Sequence, residues 1–171
     1  LPLSPNANIH NYLMTKIEGE VQNDSIHVLT STKKIGPGFR VISPVILKDG
    51  RSILLDRGII PEKDKQFTLG FGENNITGYL LWPNETDYFT PEPNLEKNIW
   101  FSRDLDKMAT FLETEKLLLV VTNLKHPSNL NIEDPTVNIP NNHLQYAITW
   151  FSMSGLWVAM SIYFFLKNIR K

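Results

Sequence analysis

The sequence predicts an α+β chain: a mainly antiparallel β domain, built as a twisted sheet or partly closed barrel with one short helix, followed by a C-terminal transmembrane helix. Three observations carry this. From Leu144 to Leu166 there is no charged side chain and no proline. Upstream, short runs rich in β-branched and aromatic residues alternate with Gly, Pro, Asn and Asp, the punctuation of hairpins. Between those runs, residues 105–113 place Leu105, Met108, Ala109 and Leu112 on one helical face.

The last stretch sets the topology. As a helix, residues 144–166 extend roughly 34 Å, enough to cross a hydrocarbon core of about 30 Å. A soluble core helix of that length normally carries a polar stripe; here there are only scattered Gln, Thr and Ser. Lys167, Arg170 and Lys171 follow at once. Positive charge beside a span marks the cytoplasmic or matrix side. The expected division is therefore an extracytoplasmic β-rich domain over residues 1–140, a span over 141–166 and a basic inward tail over 167–171. The domain would face a periplasm or an intermembrane space.

In chain order, two prolines keep residues 1–5 extended, as suits a lead-in from an earlier anchor. Residues 8–16 are polar and suit a short turn or helix. Residues 17–21 and 26–30 read as short strands. Residues 39–47 and 51–56 flank Lys48-Asp49-Gly50, and Asp-Gly between two apolar runs is a strong hairpin signal. Residues 57–61 end the second strand of that hairpin. Residues 75–82 form a further strand, stopped by Pro83. Ser102 or Asp104 can cap the helix over 105–113. Residues 117–122 are apolar throughout and read as a central strand. Residues 126–139, with Pro127 and Pro135, read as a loop that returns the chain to the membrane. Asn141 and Asn142, after Pro140, can cap the span.

Composition excludes several classes. The formal charge is −1 with no strong basic patch, which argues against a nucleic-acid partner. There is no cysteine, so this chain holds no disulfide, thiol nucleophile or cysteine-ligated zinc or iron–sulfur site. No Gly-rich phosphate loop, His-Glu-x-x-His or Gly-x-Ser-x-Gly is present, so the chain is expected not to be an enzyme. His10, His27 and His126 stand singly in polar or loop surroundings. Asp56 and Arg57 suggest an ion pair that fixes a strand end. Asn23, Asn75 and Asn84 begin Asn-x-Ser/Thr sequences, relevant only in a secretory pathway.

The start of the span is the main candidate site. Ala147, Trp150 and Ser154 share the helical face of His143. An imidazole above a small residue and an aromatic wall suits a flat apolar ligand carrying a metal, haem being the obvious example. The simpler alternative makes His143 a wetted interfacial residue, with Tyr146 and Trp150 in an ordinary aromatic belt. Residue chemistry leaves both open. Gly155-x-x-x-Ala159 marks a face where a second helix could approach closely.

Several segments together resemble the surfeit locus protein family of cytochrome c oxidase assembly factors. They are Gly38-Phe39-Arg40-Val41-Ile42-Ser43-Pro44 with Asp49-Gly50, and Leu55-Asp56-Arg57-Gly58-Ile59-Ile60-Pro61. Thr77-Gly78-Tyr79-Leu80 and Phe89-Thr90-Pro91 with Trp100 and Asp104 continue the match. The most specific is Asn141-Asn142-His143-Leu144-Gln145-Tyr146-Ala147-Ile148-Thr149-Trp150-Phe151. Ile59 stands where an aromatic residue often follows the Arg-Gly pair. The resemblance covers nearly the whole chain. It implies two membrane helices flanking an extracytoplasmic domain, in a bacterial or mitochondrial inner membrane. It also implies a non-enzymatic role in supplying or inserting haem a during assembly of oxidase subunit I. Subunit I and haem a synthase or other assembly factors are then the implied partners. His143 matches the family's haem-linked histidine, so His143 is the expected metal-site residue, with Tyr146 and Trp150 as further cofactor contacts. The alternative is a cofactor-free, membrane-tethered module that stabilises an oxidase assembly intermediate.

Overall fold

A computed structural model of the chain describes residues 1–32, 35–65, 72–123 and 142–169. The chain divides into two compact units, Leu1–Asp134 and Pro135–Lys171. In the first, a single helical turn α1 (Ala7–His10) leads into β1 (Met14–Val21), β2 (Ile26–Thr32), β3 (Gly36–Leu47) and β4 (Ser52–Pro61). A 3-10 turn at Glu62–Asp64 follows, then β5 (Gly72–Leu81), α2 (Leu105–Phe111) and β6 (Glu115–Asn123).

The strands hydrogen-bond in the order β1-β5-β6-β4-β3-β2, and β1 also pairs with β3. That extra pairing closes β1, β5, β6, β4 and β3 into a five-stranded barrel, with β2 added outside it. The predicted hairpin is present: Gly50 sits at φ +85 between β3 and β4, and Leu47 and Arg51 close the turn through an N–H···O bond of 2.8 Å. The described strand-to-strand pairings are antiparallel except β4–β6, which is parallel. A parallel pair needs a long crossover, and here the crossover contains β5 and α2. Closure depends on a close approach at the β1–β3 seam. Gly19 lies opposite Leu47, and a Cβ there would stand 2.6 Å from the Ile46 carbonyl oxygen.

The barrel wall is apolar on both faces where α2 covers it. Leu117, Leu119 and Val121 of β6 point inward with Ile53, Leu55, Ile76 and Leu80. Leu118 and Val120 point outward with Leu54 and Ile42, under Met108 and Ala109 of α2 and under Trp100. This two-sided burial is why the expected central strand is an unbroken apolar run. Each fully buried Leu or Met contributes about 1.5–3 kcal/mol. Asp104, not Ser102, caps α2: its carboxylate accepts from the N–H groups of Asp106 (3.1 Å) and Lys107 (3.2 Å).

Two expectations change. β1 begins at Met14, because its first residues pair with β5 from Tyr79 onward. The Asp56–Arg57 ion pair is replaced by a different arrangement. Val41 pairs with Gly58 and Ile42 with Asp56, so Arg57 is the extra residue of a β-bulge. Gly58 takes φ +110 and donates its N–H to Asp56 Oδ1 at 3.1 Å. The Asp56 carboxylate turns instead to Arg40 and Arg103, since extended backbone directs neighbouring side chains apart.

The second unit contains α3 (His143–Ile169). The loop expected over residues 126–139, with His126, and the positions Pro140, Asn141, Arg170 and Lys171 lie outside the described residues.

Candidate functional site

His143 occupies the first position of α3. The Asn142 carbonyl accepts the first helical bond, from Tyr146 N–H at 3.1 Å, which puts Asn142 at the cap position. The helix then runs unbroken for 27 residues, about 40 Å, and is long and apolar enough to cross a membrane. None of its residues is buried within the chain. The hydroxyls of Thr149 and Ser161 donate back to the carbonyls of Gln145 and Trp157, both at 2.9 Å. That satisfies polar groups which lipid could not. Lys167, in the last turn, lies 5.9 Å from the centre of the Tyr163 ring, a cation–π distance.

The continuous helix brings the predicted site residues together. At about 100° per residue, His143, Tyr146, Ala147, Trp150 and Ser154 fall within an arc of about 100°. Tyr146 lies about 4.5 Å and Trp150 about 10.5 Å along the axis from His143. Both rings are exposed, at 64% and 69%, so this face presents one imidazole nitrogen donor and two aromatic side chains. Gly155 lies about 120° further round, and a Cβ there would meet nothing within 4 Å.

The other histidines do not join it. His10 Nδ1 accepts from Asn6 N–H at 3.0 Å, a local helix-start contact. His27 is buried against the edge of Phe39, and its Nδ1 stands 3.0 Å from the Asn98 amide nitrogen. Burial, with Lys65 nearby, lowers its pKa to about 4. Among the described residues no three His, Asp or Glu side chains gather as a metal site.

A second constellation was only partly visible in the sequence. Asp56 has no solvent exposure, and its Oδ2 accepts from Arg40 Nη1 at 2.9 Å. Arg103 Nη1 reaches the same oxygen at 3.4 Å. Arg103 also binds Glu85 through Nη2, through Nε (3.0 Å) and through its backbone N–H (3.1 Å). Burial pulls the Arg103 pKa down, but Glu85 and Asp56 outweigh it and the net shift is upward. Burial pushes Glu85 up and the Arg103 contacts prevail, so its pKa falls. This network ties residues 85–103 to the barrel wall. The segment it holds carries Tyr88 and Phe89, both highly exposed. Asp87 fixes their turn by accepting from Phe89 N–H (2.9 Å) and the Thr90 hydroxyl (2.8 Å). The available signal was Asp56 itself, a carboxylate between the apolar runs Ile53–Leu55 and Ile59–Ile60 of one strand.

These features define a membrane-associated protein with a closed five-stranded barrel and an imidazole at the start of its apolar helix. Residues 1–155 match the SURF1 family, and the chain belongs to that family. It is 32% identical over 150 residues to Surfeit locus protein 1 of Rattus norvegicus, covering 84% of this chain and 47% of that protein. The Homo sapiens Surfeit locus protein 1 is 32% identical over 140 residues, 78% of this chain and 46% of the relative. A SURF1-like protein of Dictyostelium discoideum is 27% identical over 190 residues, 86% and 69% of the two chains. The chain spans about half the length of the mammalian relatives.

Proposed function

We propose that this chain is the membrane-anchored part of a cytochrome c oxidase assembly factor that assists the supply or insertion of haem a into subunit I. The observation that carries this reading is His143 at the first position of a span-length helix, with Tyr146 and Trp150 on its face, in a chain of the SURF1 family. The donor set suits haem. A neutral imidazole offers one nitrogen to iron while the other donates to an oxygen. The aromatic rings offer apolar contact to a macrocycle edge. When bound, haem would supply the iron; His143 would hold it, and Tyr146 and Trp150 would shield its edge from water. The role is binding and transfer, without catalysis by the chain. The domain would face the periplasm or the intermembrane space of a bacterial or mitochondrial inner membrane, because Lys167 ends the span and Arg170 and Lys171 follow it. Subunit I and haem a synthase or other assembly factors would be the partners.

A second reading, a cofactor-free module that clamps an assembly intermediate, draws on the Tyr88–Phe89 pair. Its rings meet edge to face at 5.4 Å on a structured turn, which suits a protein contact. One experiment separates the two. His143→Ala in the complete, detergent-purified protein should lose haem a while its circular dichroism is unchanged, since an exposed side chain is removed and no cavity is made. Trp150→Ala should lose less. Unchanged haem content in His143→Ala would sink the haem-site reading.

A further inference from the structure

The N-terminal segment exposes an apolar surface that the barrel does not use. Leu3, Ile9, Tyr12, Leu13 and Met14 all face solvent, Ile9 and Tyr12 at 75% and 66%. The segment is not a frayed end. Tyr12 N–H donates to the Leu80 carbonyl at 2.8 Å, and Leu80 N–H returns to the Leu13 carbonyl at 3.0 Å. Asn11 Oδ1 accepts from Trp82 N–H at 3.2 Å, and the Tyr12 ring stacks on Tyr79 at 6.1 Å. Tyr12 is held at φ +66, a conformation that costs an aromatic residue energy and persists only where its surroundings enforce it. The fold therefore strains its backbone to hold an aromatic ring at the surface.

Charge selects the occupant. Residues 1–17 contain no Asp or Glu, and their only basic side chains are His10 and Lys16. Another exposed aromatic pair, Tyr88 and Phe89, sits among Glu85, Asp87 and Glu92, which suits anionic lipid poorly. We propose that Leu3, Ile9, Tyr12, Leu13 and Met14 form a bilayer-contact patch, seated at the boundary between headgroups and acyl chains. Tyr12 takes the interfacial position that tyrosine favours, and Lys16 lies close to lipid phosphate. The proposal rests on α3 as a membrane anchor and not on haem.

The absence of cysteine makes the test clean. Single variants Ile9→Cys, Leu13→Cys, Phe89→Cys and Ile162→Cys are labelled with an environment-sensitive fluorophore. The full chain is reconstituted into phosphatidylcholine–phosphatidylglycerol vesicles. Labels at 9 and 13 should shift to the blue and lose most of their emission to nitroxides carried near the lipid headgroup. The label at 162 should be quenched by deeper nitroxides, and the label at 89 only by aqueous iodide. If 162 is quenched by lipid while 9 and 13 answer only to iodide, the patch is wrong. Shielding of 9 and 13 from both quenchers would mean self-association, and would overturn it too. No lipid quenching at 162 would remove the anchor and the proposal with it.

Discussion

Substituting Asp56 by Asn keeps the shape of the side chain and removes its charge. The carboxylate is fully buried, 2.9 Å from Arg40 and 3.4 Å from Arg103, and also accepts Gly58 N–H. Stripping one partner from a buried pair costs about 3–5 kcal/mol, because the remaining charge is left without compensation. Here the guanidinium groups keep 13% and 16% exposure, and Glu85 still holds Arg103. The expected loss is therefore about 2–4 kcal/mol. For a domain of this size each kcal/mol moves the unfolding midpoint by roughly 3–5 °C, so the midpoint should fall by about 10 °C. Near-UV circular dichroism of the detergent-purified protein during heating reads the barrel without the contribution of α3's backbone. Glu85→Gln, alone and combined with Asp56→Asn, completes a cycle whose coupling should be about 1 kcal/mol, through Arg103. A loss below about 0.5 kcal/mol would match an ordinary surface substitution and would refute the reading of Asp56 as the centre of a buried network.

Acid should weaken the domain through His27. Its folded pKa of about 4 lies below the ordinary 6.5, so the unfolded chain takes up the proton first. The stabilisation is complete above pH 6.5 and lost as pH falls toward 4, worth about 1–2 kcal/mol after allowing for solvent screening. Urea midpoints at pH 7 and pH 5 should diverge in the parent and converge in His27→Gln; equal divergence in both would exclude His27. Gly19→Ala puts a methyl against the Ile46 carbonyl and should cost about 1–3 kcal/mol by denaturant titration. Gly155→Ala, with open space around it, should leave that titration unchanged. Asp104→Ala removes the α2 cap and should cost about 1 kcal/mol, with Asp104→Asn close to neutral; an equal loss in both would mean the carboxylate charge matters more than the cap.

The elements were legible where a local rule governs them. Asp49-Gly50 specifies its hairpin because Gly50 takes the positive φ that closes the turn, and Asp104 specifies α2 because its oxygen reaches the first-turn N–H groups. The uncharged run from Leu144 gave the long helix, and helical spacing alone placed Ala147, Trp150 and Ser154 on the face of His143. The sequence left a twisted sheet and a partly closed barrel both open; full closure depends on Gly19 meeting Leu47 across the seam, a contact no local pattern encodes. The parallel pairing of β4 with β6 escaped for the same reason. Adjacency in sequence suggests pairing Asp56 with Arg57, and hides the acid–arginine network. Its actual members come from β3, β4 and the segment before α2, and only folding brings Arg40 and Arg103 to the Asp56 carboxylate and Glu85 to Arg103.

The position of β6 also has a consequence in time. The last of the described strands is the one inserted between β5 and β4, and Asp56 of β4 must wait for Val120. Until residues 115–123 have emerged from the ribosome, β4 and β5 present two apolar edges with unmet backbone groups, the kind of edge that templates aggregation. Closure over so long a loop is slow compared with hairpin formation. During synthesis the barrel therefore completes only shortly before the apolar helix itself appears. A chain stopped before Glu115 should be a substrate for chaperones and proteases, while one stopped after Asn123 has all five described barrel strands.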